Sequence, residues 1–296
     1  MTSKNTSSRG RQDIIGNSNK KNQNSKRSTS TSKDKNFRIH PHKLKNYKVK
    51  SSPFETSKES DETRLNKYIA NSGICSRREA DKYIKSGSAT VNGKVITEMG
   101  FKVKPDDEVR FDGALISPES KRYVLLNKPK NYITTMDDDR GRKTVMELIQ
   151  TASKERIYPV GRLDRNTTGL LLLTNDGDLT KKLSHPSHNV QKIYQVELNK
   201  PLKEIDLKKI KSGVKLEDGL AKVDFVNHVE NKSKNIIQIE IHMGKNRIVR
   251  RIFEHFNYEV IRLDRIIYAG LTKKDLPRGW FRPLNKKEII MLKHFI

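Results

Sequence analysis

The stretch GRLDRNTTGLLLLTND, residues 161–176, places one carboxylate, Asp164, between two arginines and then continues into four leucines. The run from Leu170 to Leu173 predicts a buried strand, because a short apolar run bounded by turn residues is typical of one. A strand would hold the preceding loop at one end, which is the usual position of a functional residue. An aspartate that only bonds its own turn backbone would also explain Asp164, and this stretch alone leaves both interpretations open.

The composition of the chain predicts its kind of partner. Its 296 residues include 61 Lys and Arg against 35 Asp and Glu, a formal net charge of +26. This excess predicts a polyanionic partner, with nucleic acid ahead of a membrane surface. No apolar run approaches the length of a membrane span, and the amino terminus lacks the apolar segment of a signal peptide. We therefore expect a cytoplasmic protein without membrane association.

Cysteine and histidine usage argues against a disulfide and against a metal site. Cys75 is the only cysteine, and we interpret it as a small buried hydrophobe, since no neighbouring residue would supply a base. His185 and His188 have the only metal-like histidine spacing, and we interpret them as loop residues. The chain also lacks the glycine-rich phosphate loops of dinucleotide and nucleoside triphosphate enzymes.

The charge is spread over a basic arm and a basic folded part. Residues 1–62 hold 15 Lys and Arg and 6 Asp and Glu, and 26 of the 62 are Ser, Thr, Asn or Gln. So little apolar surface predicts a disordered arm. The remaining 46 basic and 29 acidic residues leave the folded part basic as well.

The first folded segment, TRLNKYIANSGICSRREADKYIKSGSATVNGKVI, predicts two short helices followed by a hairpin. Ser76 and Glu79 form an S-x-x-E capping box at the start of the second helix, and Asn92-Gly93 predicts a tight turn. The second helix carries basic residues on one face at Arg77, Arg78, Lys82 and Lys85. Positive charge in a first helical turn is unfavourable unless a phosphate compensates it, although a merely solvated charged face remains possible.

Beyond Gly113 the pattern predicts an α+β domain with a mixed, largely antiparallel sheet flanked by helices. Strand-like runs cover Tyr123 to Leu126, Leu170 to Leu173, Ile193 to Leu198, Ile236 to Ile241 and Val260 to Ile267. Helical pieces lie around Val145 to Ile149, Leu179 to Leu183, Leu207 to Ile210 and Ile248 to Phe256. We expect the arm at residues 1–62, a small first domain at 63–117 and this larger domain at 118–296.

Three segments carry the candidate site. In GRLD, Arg162 lies two residues before Asp164, a spacing that puts both side chains on one face of an extended segment and would keep the carboxylate ionised. Tyr194 in QKIYQVEL fills a strand position, where it either packs or contacts a base. GKNRIVRRIFEHF opens a helix with basic residues at Lys245, Arg247, Arg250 and Arg251. The last three arginines predict one stripe that meets phosphate or carboxylate outside the helix, with a solvated face as the alternative.

These segments resemble known families. RLNKYIANSGICSRREADKYI with VNGK resembles the alpha-L RNA-binding domain of a small-subunit ribosomal protein, tyrosyl-tRNA synthetase tails and several RNA-modifying enzymes. GRLDRNTTGLLLLTNDG, the K-x-Y of KIYQV and GKNRIVRRIF, in that order, resemble the three sequence motifs of the pseudouridine synthases. The pairing with an alpha-L domain resembles their RsuA/RluB branch, over residues 63 to about 285.

The resemblance implies an isomerase that detaches uracil from C1′ of a uridine, turns it and rejoins it through C5, with no cofactor, metal or ATP. It implies that Asp164 is the essential aspartate, that Arg162 is its salt-bridge neighbour and that Arg250 is the arginine paired with it. It also implies that Tyr194 stacks on the target base and takes the proton from C5. Val249 would line the uracil pocket. Whether the aspartate attacks C1′ or first removes a ribose proton stays open. The target base must leave the RNA stack to reach Asp164.

HPSHNVQKIYQVEL, GVKLEDG and LPRGWFRPL resemble the large-subunit enzymes of this branch, which implies 23S rRNA, free or in an assembling ribosomal subunit. A small-subunit enzyme acting on 16S rRNA is an alternative, because motif III and the domain order are shared. A non-catalytic assembly factor that only clamps rRNA is a competing hypothesis. It explains the charge but not the joint presence of Arg162, Asp164, Tyr194 and Arg250 in motif context. Nothing in the sequence requires more than a monomer.

Overall fold

The protein is described by a computed structural model, which covers residues 62–294. The predicted arm, residues 1–62, lies outside the described residues except for its last one. Within residues 62–294, no helix is long and apolar enough to cross a membrane.

The first part of the chain folds as a small module of two helices and short strands. In chain order these are β1 Thr63–Arg64, α1 Leu65–Asn71, α2 Arg77–Lys85, β2 Ala89–Val91, β3 Lys94–Val95, β4 Lys102–Val103, β5 Val109–Phe111 and β6 Ala114–Leu115. Strands β3, β2, β5 and β6 form one antiparallel sheet, and β1 pairs with β4. The predicted two short helices followed by a hairpin are found as α1, α2 and the β2–β3 pair.

Local sequence signals explain the module. The backbone N–H of Glu79 donates to Ser76 Oγ at 3.3 Å, and the N–H of Ser76 donates to Glu79 Oε2 at 2.7 Å, so the predicted capping box starts α2. Asn92 and Gly93, both with positive φ, form the predicted turn between β2 and β3. Cys75 is buried in the module core as expected, and burial raises the pKa of its thiol.

The second part is built on one large mixed sheet. In chain order its elements are β7 Tyr123–Lys128, a 3₁₀ helix Val145–Ile149, β8 Tyr158–Pro159, β9 Thr167–Thr174, α3 Gly177–Ser184, a 3₁₀ helix Pro186–His188, β10 Lys192–Leu198, α4 Glu204–Ser212, β11 Val214–Leu216, β12 Gly219–Ala221, β13 Phe225–His228, β14 Ile236–Ile241, α5 Ile248–Glu254, β15 Val260–Tyr268, β16 Leu271–Thr272, β17 Phe281–Pro283 and α6 Lys286–His294. The strand order is β13-β14-β10-β15-β9-β7-β17, with β8 beside β9 and β16 beside β15. Strands β9 and β15 pair in parallel, and the other pairs of this sheet are antiparallel, as expected.

Strand β9 shows why four consecutive leucines decide the fold. Leu171 and Leu173 belong to the core on one face of the sheet, and Leu170 and Leu172 belong to the core on the other face. Because side chains alternate along a strand, an unbroken apolar run requires both faces to be covered. The predicted buried strand is confirmed, and it lies in the interior of the sheet.

Candidate active site

The loop before β9 is fixed by bonds to its backbone. Thr134 Oγ1 donates to the carbonyl oxygen of Leu163 at 2.9 Å and accepts from the N–H of Leu163 at 3.3 Å. The N–H of Thr167 donates to the carbonyl oxygen of Asp164 at 3.0 Å, which closes a turn directly after the aspartate. The carboxylate of Asp164 is therefore partly exposed on a backbone held at both ends.

Lys128 is a second support of the Asp164 loop. Its side chain is fully buried at the end of β7, and Nζ donates to the carbonyl oxygens of Pro129, Asp164, Arg165 and Thr167 at 3.1, 3.1, 3.3 and 2.8 Å. Burial lowers the pKa of Lys128 to about 8. Sequence reasoning missed this lysine; the signal was a charged residue that ends the apolar run YVLLNKP, a position seldom buried without a partner.

Asp164 borders a pocket of about 440 Å³ on one face of the sheet. The pocket is enclosed by the Asp164 loop, by β10 and β15, by the segment after α3 and by the start of α5. Side chains predicted from sequence that line it are Arg162, Asp164, Tyr194, Lys245, Arg247 and Val249. The structure thus brings together residues that are as much as 87 positions apart in the chain.

Tyr194 lies on the floor of this pocket and is 8% exposed. It is paired with Arg265 of β15 on one side and with Ile239 of β14 on the other. Directly opposed residues of neighbouring strands share a face of the sheet, so Tyr194 and Arg265 both face the pocket. A tyrosine here presents its ring to a flat ligand and its hydroxyl to a proton-transfer partner.

Arg247 is the cation nearest to the aspartate. It caps α5 with a left-handed backbone, φ 44°, and its Nη1 lies 3.8 Å from Asp164 Oδ2. Both side chains are more than a third exposed, so the pair contributes little to stability. The contact places positive charge beside the carboxylate at the pocket.

The expected ion pair between Arg162 and Asp164 is not present within residues 62–294, where Arg247 is the ion-pair partner of Asp164. Gly161, with positive φ, precedes this segment, and the Thr167 to Asp164 hydrogen bond closes the turn that follows it. Arg162 and Asp164 both line the pocket, as the spacing predicts, but only Arg247 comes within ion-pair distance of the Asp164 carboxylate. Arg162 is exposed and lines the pocket.

The arginines of α5 do not form the predicted stripe. Arg250 is buried, and its Nη1 donates to the carbonyl oxygen of Val260 at 2.8 Å, so the expected pairing with Asp164 is replaced by a backbone contact. Burial is the main cause that lowers the pKa of Arg250, followed by Arg247. Arg251 forms a two-pronged ion pair with Asp218, with nitrogen to oxygen distances of 2.6 and 3.0 Å. The stripe fails because Arg247 precedes the helix with a non-helical backbone.

Asp218, in the turn between β11 and β12, was also missed by sequence reasoning. Its carbonyl oxygen accepts from Lys245 Nζ at 2.6 Å, while its carboxylate holds Arg251. These contacts tie the start of α5 to the β11–β12 hairpin. Only Lys245 of the two cations lines the pocket.

The cations of α2 form a separate surface. Arg77, Arg78, Lys82 and Lys85 are all exposed on the first module, and none of them lines the pocket. Lys67 of α1 bridges to Asp178 of α3 at 2.7 Å. In the part of the chain that the structure describes, no three His, Cys, Asp or Glu side chains come together as a metal site would require.

Comparison with known proteins finds the same two parts. Residues 122–255 match the family model described as RNA pseudouridylate synthase, and residues 63–109 match the S4 domain. The first match includes Asp164, Tyr194 and Val249.

Individual proteins are similar over most of the chain. The ribosomal large subunit pseudouridine synthase B of Bacillus subtilis (strain 168) is 43% identical over 234 residues, which span 78% of this chain and 95% of the relative. The dual-specificity RNA pseudouridine synthase RluF of Escherichia coli (strain K12) is 39% identical over 232 residues, 77% of this chain and 78% of the relative. A crystal structure of a pseudouridylate synthase superposes with a TM-score of 0.54 at 28% identity, covering 77% of this chain and 99% of that one.

Proposed function

Because this chain belongs to the RNA pseudouridine synthase family, in its RsuA/RluB branch, we propose that it converts one uridine of 23S ribosomal RNA to pseudouridine. The enzyme is an isomerase with an S4 RNA-binding domain. The single observation that carries the proposal is the pocket that joins Asp164 to Tyr194.

Asp164 is the group that acts at C1′ of the target ribose, as nucleophile or as base. Thr134 and Lys128 hold the backbone of its loop by hydrogen bonds, so the backbone does not have to rearrange when the carboxylate contacts the substrate. Arg247 lies beside this carboxylate, with Nη1 3.8 Å from Oδ2.

Tyr194 and Val249 form the two sides that receive the flipped base. Tyr194 lies on the sheet floor, where its ring stacks on uracil and its hydroxyl exchanges the proton of C5. Val249, buried at the start of α5, supplies an apolar contact. Arg250 lies behind this wall and adds positive charge near Asp164.

The cations around the pocket hold the RNA backbone. Lys245, Arg247 and the exposed Arg162 line the opening, where they contact phosphates next to the target nucleotide. Arg251 fixes the β11–β12 hairpin beside them through Asp218. A second RNA contact comes from the α2 surface at Arg77, Arg78, Lys82 and Lys85, which lies on the module that matches the S4 domain.

The remaining features of the proposal concern substrate and organisation. The Bacillus subtilis relative is named for the large ribosomal subunit, which favours 23S rRNA over 16S rRNA, either free or in an assembling particle. We place the S4 domain at residues 63–117 and the synthase domain at 118–296. The enzyme acts as a monomer in the cytoplasm, without metal or small-molecule cofactor.

The test is a pseudouridine map of 16S and 23S rRNA, by carbodiimide modification and primer extension, in a gene-deleted strain. Complementation with the wild-type chain is expected to restore one 23S site, and Asp164→Asn is expected to restore none. Asp139→Asn, an exposed aspartate of another loop, is the matched control and should restore the site. If Asp164→Asn restored the same map, the catalytic assignment would be wrong, and a restored 16S site would move the substrate to the small subunit.

A further inference from the structure

Arg265 of β15 is a buried cation without an acidic partner. It is 3% exposed, and its Nε donates to the carbonyl oxygen of Leu170 at 2.8 Å. Within residues 62–294, no carboxylate lies within ion-pair distance of it, and its Nη2 has no hydrogen-bond acceptor. A buried guanidinium with an unpaired donor is costly, and where it borders a pocket a ligand can supply the acceptor.

The guanidinium of Arg265 is held in one orientation. The ring of Tyr268 lies under it, with 4.3 Å from Cζ to the ring centroid, and the Leu170 carbonyl holds one edge. Arg265 lines the pocket on the same face of the sheet as Tyr194, its cross-strand neighbour. Nη1 also makes no hydrogen bond among the described residues and, unlike Nη2, is not fully covered, so the guanidinium is preorganised with an unpaired N–H at the floor of the pocket that contains Asp164.

Lys192 makes this floor more positive. It also lines the pocket, and its Nζ donates to the carbonyl oxygens of Val190 and His242 at 2.9 and 2.7 Å. Burial and the nearby charge of Arg265 lower the pKa of Lys192 to about 8, while Asp224 acts in the opposite direction. We use the name pocket floor for Lys192, Tyr194 and Arg265.

The depth of Arg265 selects the kind of acceptor. The RNA phosphates belong to the sugar-phosphate backbone, which meets the cations at the opening, whereas a base that has left the stack extends into the pocket. Uracil presents two carbonyl oxygens, O2 and O4, and either accepts from a guanidinium N–H. The orphaned donor beside Tyr194 is thus complementary to the edge of a ring that stacks on that tyrosine.

We propose that Arg265 donates a hydrogen bond to a carbonyl oxygen of the flipped uracil and stabilises the negative charge that the ring carries while it is detached from ribose. This proposal rests on the proposed function and assigns a further catalytic residue to it. When the C1′–N1 bond breaks, its electron pair stays on the ring and is shared by N1, O2 and O4. When C5 bonds to C1′, C5 loses its proton and N1 gains one, so no atom is lost and no oxidant is needed. A fixed cation at O2 or O4 acts where that charge develops.

The test measures single-turnover pseudouridine formation in an rRNA fragment that contains the mapped site. The target uridine is replaced in turn by 2-thiouridine and by 4-thiouridine, because sulfur is a weaker hydrogen-bond acceptor than oxygen. Each RNA is treated with the wild-type enzyme, Arg265→Met and Arg265→Lys. Arg262→Met, an exposed arginine on the same strand, is the matched control.

We expect Arg265→Met to slow conversion of the unmodified RNA at least about 100-fold, with unchanged RNA affinity. One of the two thio substitutions should slow the wild-type enzyme at least about tenfold more than it slows Arg265→Met, because the contact exists only in the wild-type enzyme. Arg265→Lys should recover part of the rate, since it keeps the charge but not the planar donors. Arg262→Met should behave as the wild-type enzyme.

Equal thio effects in the wild-type enzyme and in both Arg265 variants would overturn the proposal and leave Arg265 a packing residue. If the Arg265 variants fail to fold, the wild-type enzyme alone still decides, since full activity on both thio RNAs excludes the contact. Absence of pseudouridine from the unmodified RNA with the wild-type enzyme would instead contradict the proposed function.

Discussion

Lys128 and Arg265 are both buried cations close to the candidate site, and they differ in which groups accept hydrogen bonds from them. Lys128 donates to the backbone carbonyl oxygen of Pro129 and to three carbonyl oxygens of the Asp164 loop. Arg265 donates through Nε to one carbonyl and keeps Nη2 without an acceptor among the described residues. The hydrogen bonds of Lys128 are all made within the protein, whereas those of Arg265 are complete only when a ligand is bound. The hydrogen-bond partners of a buried side chain thus distinguish a residue that supports the site from one that binds the substrate.

The largest expected effect concerns chemistry at the pocket floor. Tyr194→Phe keeps the ring that stacks on the base and removes only the hydroxyl. We expect single-turnover conversion to fall at least about 100-fold, the usual range for loss of an acid or base group, with RNA affinity unchanged. Filter binding measured beside tritium release from C5-labelled RNA separates the two quantities. Normal turnover would reduce Tyr194 to a packing role.

A measurement of stability tests the inference that Lys128 supports the fold. Lys128→Met leaves buried carbonyl oxygens without donors, so we expect the free energy of unfolding to fall by about 3 kcal/mol in urea titrations. Arg265→Met removes an uncompensated charge and should change that free energy by less than about 1 kcal/mol. If both variants lost the same free energy of unfolding, Lys128 and Arg265 would not differ in their contribution to the fold. Arg262→Met, expected to stay within about 0.5 kcal/mol, is the control.

The last expected effect is a dependence of stability on pH. Burial lowers the pKa of Lys128 to about 8 from an ordinary value of 10.5, and Lys192 shifts in the same direction to about 8. From pH 8 to pH 10 the unfolded chain therefore binds more protons than the folded one, so stability should rise with pH. Tyr268, whose pKa burial raises to about 12, and Tyr123, whose pKa burial also raises, act in the opposite direction as the pH rises through 10.

Lys128→Met should reduce the slope of this rise and leave the part due to Lys192. Urea unfolding of the wild-type chain and of Lys128→Met at pH 8, 9 and 10 measures both slopes. Parallel slopes would mean that Lys128 titrates alike in the folded and unfolded chains.

Secondary structure was largely predictable because hydrophobic period is a local property. The run Ile236 to Ile241 alternates buried and half-buried residues as strand β14, and the run Val145 to Ile149 is helical, although as a 3₁₀ helix. Short elements with little apolar periodicity, such as β13, β17 and α6, were missed. Strand β17 pairs with β7, which lies far away in the chain, and β13 pairs with its sequence neighbour β14.

The sequence predicted which residues belong to the candidate site better than it predicted the contacts among them. Asp164, Tyr194 and Val249 do meet in one pocket. The partner of Asp164 was misassigned to Arg162, which lines the same pocket without forming the ion pair, and Arg250 is buried where an outward stripe was expected. No spacing rule indicates that Lys128 reaches four carbonyls or that Arg265 lacks an acceptor.

The sequence by itself determined that this protein has a basic, two-part fold, a buried central strand after Asp164 and the motif residues of a pseudouridine synthase. Those properties depend on composition and on short-range periodicity, which act within a few residues. The tertiary structure alone decided which cation faces the aspartate, which lysine holds its loop and which arginine keeps a free donor. Such contacts join strands and loops distant in the chain, and their strength depends on burial, which only the packed sheet creates.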